Sequence, residues 1–83
     1  MATATLNDWV NNTGSGLSGE LVNISFHSTS TRALIVYLQN QAINGSNNLV
    51  ITDAALAAGT SYVWIAESPS QSTWFASGRV TAA

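Results

Sequence analysis

Hydrophobic and polar residues alternate along much of this chain, and this is the pattern of β-strands that bury one face. The clearest example is Leu21–His27, in which Val22, Ile24 and Phe26 alternate with polar residues. Asn48–Asp53 follows the same alternation. Both stretches are therefore predicted to be strands with one face in the core.

The segment Arg32–Asn40 shows no alternation, because it contains an uninterrupted apolar run from Ala33 to Leu38. Such a run indicates either a strand covered on both faces or a strand whose apolar face is exposed for a functional reason. We expect three of its side chains to face the core and two to point outward. The inward set is Leu34, Val36 and Leu38, and the outward set is Ile35 and Tyr37.

Strands are also predicted towards both ends of the chain. Thr3–Val10 is interpreted as a weak first strand or arm, and a helical turn over Asn7–Asn11 is the competing interpretation. Tyr62–Glu67 and Thr73–Thr81 are the last two strands, with a bulge at Gly78 in the final one. Turn residues separate the segments at intervals of about 8 to 12 residues, which is typical of an all-β sandwich.

The length of the chain, 83 residues, is enough for one domain with a small core. A domain of this size buries only about 60 to 65% of its unfolded surface. We predict a single antiparallel β-sandwich over residues 1–83, with six or seven strands. Residues 1–19 are expected to form a polar amino-terminal arm or a weak first strand.

Leu56–Ala66 carries the most specific local pattern, with Leu56, two small residues, Gly59 and then Tyr62 at the start of a strand. This stretch resembles the corner between the fifth and sixth strands of fibronectin type III domains and related immunoglobulin-like sandwiches. The resemblance implies a small immunoglobulin-like, fibronectin type III-like sandwich. It also implies that Leu56 closes the core, Gly59 adopts a turn conformation and the Tyr62 hydroxyl bonds to the turn backbone. Ala58 occupies the position where the family usually has proline.

The scarcity of charge narrows the range of partners. Only 7% of residues are charged, and the two cations are Arg32 and Arg79, for a formal net charge of −2. Two cations cannot neutralise a run of phosphates, so neither nucleic acid nor an anionic membrane surface is an expected partner. No apolar run approaches the length of a membrane span, and the amino terminus lacks the basic and apolar parts of a signal peptide. We expect a protein of a virion, or one found outside the cell after release.

A nearly uncharged surface favours self-association, because charges keep small domains apart in solution. With Tyr62 inward, its neighbours along the strand alternate, and in the implied sandwich the third and sixth strands pair. Outward residues of these two strands and of the last strand would then form one apolar patch of several hundred Å². We interpret this patch as an interface: Ile35, Tyr37, Val63, Ile65, Trp74 and Phe75. Two alternatives are that the amino-terminal residues Leu6 and Trp9 cover the sheet, or that the assignment of faces is inverted.

Catalytic and metal-binding residues are sparse. The single histidine, His27, is expected to be a solvated strand residue, although a serine together with Asp53 or Asp8 would supply the elements of a triad. Without cysteine or closely spaced acids, we expect no metal and no cofactor.

We predict a non-catalytic structural or interaction module that self-associates or docks on a larger protein assembly. The composition is similar in type to decoration or accessory proteins of bacteriophage virions. The alternative function is a carbohydrate-binding module or small lectin, with Trp9 or Trp74 as the aromatic platform for a glycan.

Overall fold

A computed structural model of the chain describes residues 2–7, 18–69 and 75–83, with the backbone alone for Phe75. The described part contains six strands and no helix. The prediction of an all-β chain is therefore confirmed. The strands are β1 (Ala2–Leu6), β2 (Leu21–Ser28), β3 (Leu34–Ala42), β4 (Leu49–Asp53), β5 (Ser61–Glu67) and β6 (Phe75–Thr81).

These strands form two antiparallel sheets, an arrangement compatible with a β-sandwich. The smaller sheet pairs β1 with β4, and the larger sheet has the order β3-β2-β5-β6. The end of the chain links the two sheets, because Ala83 follows β6 and exchanges two backbone hydrogen bonds of 2.9 Å with Thr3 in β1. The strand β2 lies inside the larger sheet, with β3 on one side and β5 on the other.

The core is a single cluster with contributions from both sheets. In β2 the buried side chains are Val22, Ile24 and Phe26, as the alternation predicts. In β1 they are Ala2, Ala4 and Leu6, so residues 2–6 form a strand of the core, the second of the two interpretations given for residues 1–19. The other buried residues are Ile43, Leu49, Ile51, Leu56, Tyr62, Ala66 and Ala82. Apolar burial of this kind is the main source of stability for so small a domain.

The structure tests only part of the predictions made for the amino-terminal segment. The first strand is Ala2–Leu6, shorter than the predicted Thr3–Val10, and the predicted helical turn falls mainly on residues 8–17, which lie outside the described residues. Leu6 is 4% exposed and belongs to the core cluster. It therefore does not cover the opposite side of the larger sheet, as one alternative proposed.

The strand order corrects the predicted neighbours of β3. We expected the segment around Tyr37 to lie directly beside the segment around Ile65. The structure instead inserts β2 between them, with Ser25 paired to Tyr37 on one side and to Ile65 on the other. Strand order depends on contacts distant in sequence, so the alternation pattern does not specify it.

The pairing register corrects two further predictions. The β2–β3 pairing is irregular between Phe26 and His27, and Leu34 lies opposite His27 there. An extra residue in one strand changes the direction of nearby side chains, which is why Leu34 is 59% exposed instead of facing the core. In the β5–β6 pair the register is continuous through Gly78, so the bulge predicted at that glycine is wrong.

The turn before β5 is hydrogen-bonded both to β5 and to the residues that follow β6. The backbone N–H of Ala57 donates a 2.8 Å hydrogen bond to the hydroxyl of Tyr62, whose ring is buried against Phe26 in an edge-to-face contact. Gly59 has a φ of +82°, a conformation that glycine adopts without the strain of a side chain. Its N–H donates to the carbonyl of Ala82. The turn therefore connects the start of β5 with the residues after β6.

Candidate interaction face

The outer face is defined here as the side of the larger sheet that points away from β1 and β4. Alternate residues of β2 are buried, so Asn23, Ser25 and His27 point to the outer face. Residues that pair directly across antiparallel strands share a face. Tyr37 and Ile65 both pair with Ser25 and therefore lie on the outer face with it.

Two ridges of apolar side chains run along the outer face, one on each side of β2. The first ridge is on β3, where Tyr37 is 46% exposed and Leu34, which pairs with His27, is 59% exposed. Ile35, 40% exposed, is the extra residue of the register shift between them. The second ridge is on β5, where Ile65 is 45% exposed and Val63 is half-buried. Tyr37 and Ile65 are separated by two strand spacings, or about 10 Å between their backbones.

A polar stripe on β2 lies between the ridges, and its side chains bond to one another and to the backbone. Ser25 Oγ and His27 Nε2 are 2.9 Å apart, and Ser25 Oγ lies 3.4 Å from the carbonyl oxygen of Ile65. His27 Nδ1 lies 3.3 Å from the carbonyl oxygen of Arg32. Buried polar groups are tolerated when they have partners, so this stripe is suited to an interface that excludes water.

Charges lie beside the central row of the outer face and not within it. The row Tyr37, Ser25, Ile65 and Ser77 runs across all four strands and carries no charge. In the next rows, Arg79 pairs with Val63 and Glu67 pairs with Phe75. The middle of the face can thus be covered without desolvating an ion, which is the costly step when charged groups are buried.

The predicted interface residues are brought onto one face in part. Tyr37, Val63 and Ile65 share the outer face, and Ile35 is an exposed residue at the register shift of β3, but β2 separates the two strands, so the predicted single apolar patch is wrong for these four. Phe75 is described by its backbone only, and Trp74 lies outside the described residues. Trp9, the other candidate sugar platform, also lies outside them, so the carbohydrate-binding alternative stays a prediction.

The sequence interpretation missed two contributors to this face. The polar stripe of β2 was visible as alternating polar residues, but its position between the two apolar strands depends on the strand order. The spacing predicts Leu34 in the core, although it is exposed on the outer face, opposite His27. No local signal marks the register shift that turns it outward.

The His27 environment differs from a catalytic triad. Its Nε2 faces a serine, as a general base would, but its Nδ1 faces a backbone carbonyl and not a carboxylate. Asp53 is in β4 of the other sheet, and Asp8 lies outside the described residues. Within the described ranges no three metal-ligating side chains lie together. The same ranges contain no helix with the length and apolarity to cross a bilayer.

Comparison with known proteins adds no relative: the chain matches no family model, no curated protein and no solved structure. Its functional interpretation therefore depends on the residues and geometry of the outer face.

Proposed function

We propose that this chain is a non-catalytic structural module that self-associates through the outer face of its four-stranded sheet. The observation that carries the proposal is the pair of exposed apolar ridges around an uncharged central row. Tyr37 and Ile65 are each close to half-exposed, and Ser25 between them has hydrogen-bonding partners within the chain. Isolated monomers seldom expose large apolar side chains in such a group.

The composition supports the same proposal. The chain has two cations and four anions among 83 residues. Few ions are therefore available to keep copies apart or to be desolvated when they meet. We extend the proposal to a role in a larger assembly, such as a decoration or accessory protein of a bacteriophage particle, where copies of a small module pack side by side.

For the fold we propose an immunoglobulin-like sandwich of fibronectin type III type. The strand order supports this assignment. Counting β1 as the second strand of that fold makes the β4–β5 turn the corner between its fifth and sixth strands, as the resemblance implies. With that correspondence β2 is the third strand of the fold, and its neighbour β5 is the sixth. The Tyr62 hydroxyl bond at the β4–β5 turn supports it as well.

The test is the mass in solution, measured by light scattering after size exclusion over a range of protein concentrations. We expect a species heavier than the 8.7 kDa chain, and we expect Ile65→Asp to lower the mass of that species. An aspartate there would have to be desolvated in the contact, which is unfavourable without a partner. Thermal melting of the variant should still show a folded chain, since Ile65 is exposed.

The matched control is Val50→Asp. Val50 is exposed to a similar extent, 51%, but lies on β4 in the smaller sheet. We expect this variant to keep the mass of the wild type. A wild type that is monomeric at every concentration would overturn the proposal, and so would an Ile65→Asp variant of unchanged mass.

A further inference from the structure

We propose that two copies of the chain pair through the free edge of β3, so that two four-stranded sheets become one continuous antiparallel sheet. This inference rests on the proposed self-association and specifies the strand, the symmetry and the register of one contact. The partner is a second copy of the same strand, related by a twofold axis.

The position of β3 in the sheet allows a partner strand. It is a border strand of the larger sheet, and among the described residues no strand pairs with its other side. A border strand presents backbone N–H and C=O groups that can bond another strand. With nine residues, β3 is the longest strand in the described part of the chain.

The absence of charge distinguishes β3 from two of the three other border strands, β4 and β6. Proteins commonly protect free edges with charged residues or proline. Of the described strands with an unpaired side, β4 contains Asp53 and β6 contains Arg79, whereas β3 contains neither a charge nor a proline. The remaining border strand, β1, has Ala83 bonded to its second side at Thr3. Of these edges, β3 therefore presents the least obstacle to pairing.

The register follows from two irregularities in β3. Its pairing with β2 is regular over Val36–Leu38 and shifts on both sides of that segment. Bulges bend and twist a strand, so a second strand pairs best where the strand is regular. The centre of the regular segment is Tyr37. A twofold axis there would place Tyr37 opposite its own copy, and Val36 opposite Leu38 of the second copy.

The side chains suit this register on both faces of the sheet. On the outer face, Tyr37 would meet an identical ring, and aromatic pairs across strands stabilise antiparallel sheets. On the inner face, Val36 and Leu38 are only partly buried against the core. Pairing would bring the same residues of the second copy beside them and remove further apolar surface from water.

Disulfide trapping tests the register, because the chain contains no cysteine of its own. In Tyr37→Cys the two introduced Cβ atoms would lie about 4.5 to 5.5 Å apart across the axis, close enough for a disulfide after a small adjustment. Oxidised glutathione would be added to the folded protein, and covalent dimer followed by non-reducing electrophoresis. We expect Tyr37→Cys to form dimer at least about tenfold faster than controls whose thiols are not held together.

Two single-cysteine variants serve as matched controls. Val50→Cys tests the competing edge of β4, and Ile65→Cys tests a face-to-face contact; both residues are exposed to about the same extent as Tyr37. Under edge pairing, Ile65 and its copy would be separated by five strand spacings, or about 24 Å. Equal rates for the three variants, or a faster rate for either control, would overturn the edge pairing.

A second pair of variants separates this inference from the proposed function. Tyr37→Lys would place two like charges opposite each other, and we expect it to abolish the edge contact, whereas Tyr37→Phe should retain it. Melting of each variant checks that the chain is folded. If Ile65→Asp lowers the mass but Tyr37→Lys does not, the edge pairing is overturned, and the face contact is then made by β5 without Tyr37. If Tyr37→Cys forms the disulfide-linked dimer rapidly while Ile65→Asp leaves the mass unchanged, the edge pairing is supported and the face contact is contradicted.

Discussion

Tyr62 illustrates how one side chain joins a local turn to the core. Its ring is buried with its centroid 6.3 Å from that of Phe26, and its hydroxyl accepts the N–H of Ala57 five residues earlier. A buried hydroxyl without a partner would be unfavourable, so the ring and the turn constrain each other. Ala82, which follows β6, adds backbone hydrogen bonds to Gly59 and Thr60 in the same turn.

Replacing Tyr62 with phenylalanine should lower the free energy of unfolding by about 1 to 2 kcal/mol, because the N–H of Ala57 loses its acceptor. Urea denaturation of the two proteins at equal, low concentration measures the difference. The control is Tyr37→Phe, which removes the same hydroxyl from an exposed ring and should change stability by less than about 0.5 kcal/mol. Equal stability of Tyr62→Phe and the wild type would contradict the role assigned to this bond.

The pairing of β5 with β6 explains the glycine at position 78. A glycine inside a strand indicates either a bulge or a close approach of another group. Gly78 pairs with Trp64 in a continuous register, and a Cβ atom built at Gly78 would lie 3.0 to 3.1 Å from three atoms of the indole ring. The glycine thus makes room for the Trp64 ring, and the predicted bulge was the wrong one of the two explanations.

We expect Gly78→Ala to destabilise the protein by about 1 kcal/mol, since the crowding of the indole outweighs the smaller entropy loss of alanine on folding. Gly45→Ala is the matched control, because a Cβ at Gly45 has no atom within 4 Å and should be close to neutral. Thermal and urea unfolding of both variants measure the effect. A Gly78→Ala variant as stable as the control would mean that the indole moves aside at no cost.

At the scale of the whole molecule, a two-stranded sheet faces a four-stranded one. Two strands span roughly half the width of four, and the partly buried Val36, Leu38 and Val80 belong to the two border strands of the larger sheet. Apolar surface therefore remains accessible on β3 and on the outer face. The chain has six charged residues in total, two basic and four acidic, so the association that we propose would depend mainly on this surface.

Self-association driven by apolar contact should be insensitive to ionic strength. Exposed charges are screened within about 10 Å at 0.1 M salt, so a contact made by ions would weaken as salt is added. We expect the mass in solution to be the same at about 50 mM and about 500 mM sodium chloride, conditions that span this range of screening. Dissociation at the higher concentration would indicate that Arg79, Glu67 or other ions hold the copies together.

The local features of this protein were readable from its residues. Alternation predicted β2 and its three buried side chains, and the spacing around Leu56 and Tyr62 indicated a turn followed by a strand with a buried tyrosine. These features depend on neighbours within a few positions, because the direction of a side chain in a regular strand follows from the two-residue period. The outward direction of Ile65 follows in the same way.

Strand order, register and packing between strands required the tertiary structure. Nothing near Ser25 in the chain indicates that it lies between Tyr37 and Ile65, and nothing near Leu34 indicates the shift that exposes it. The same holds for Gly78, whose neighbour Trp64 is fourteen positions away. Pairing between distant segments is selected by the combined burial of all strands, and a shift by one residue reverses every side chain. The sequence therefore determined which residues form strands, and the fold decided which side chains meet on the outer face.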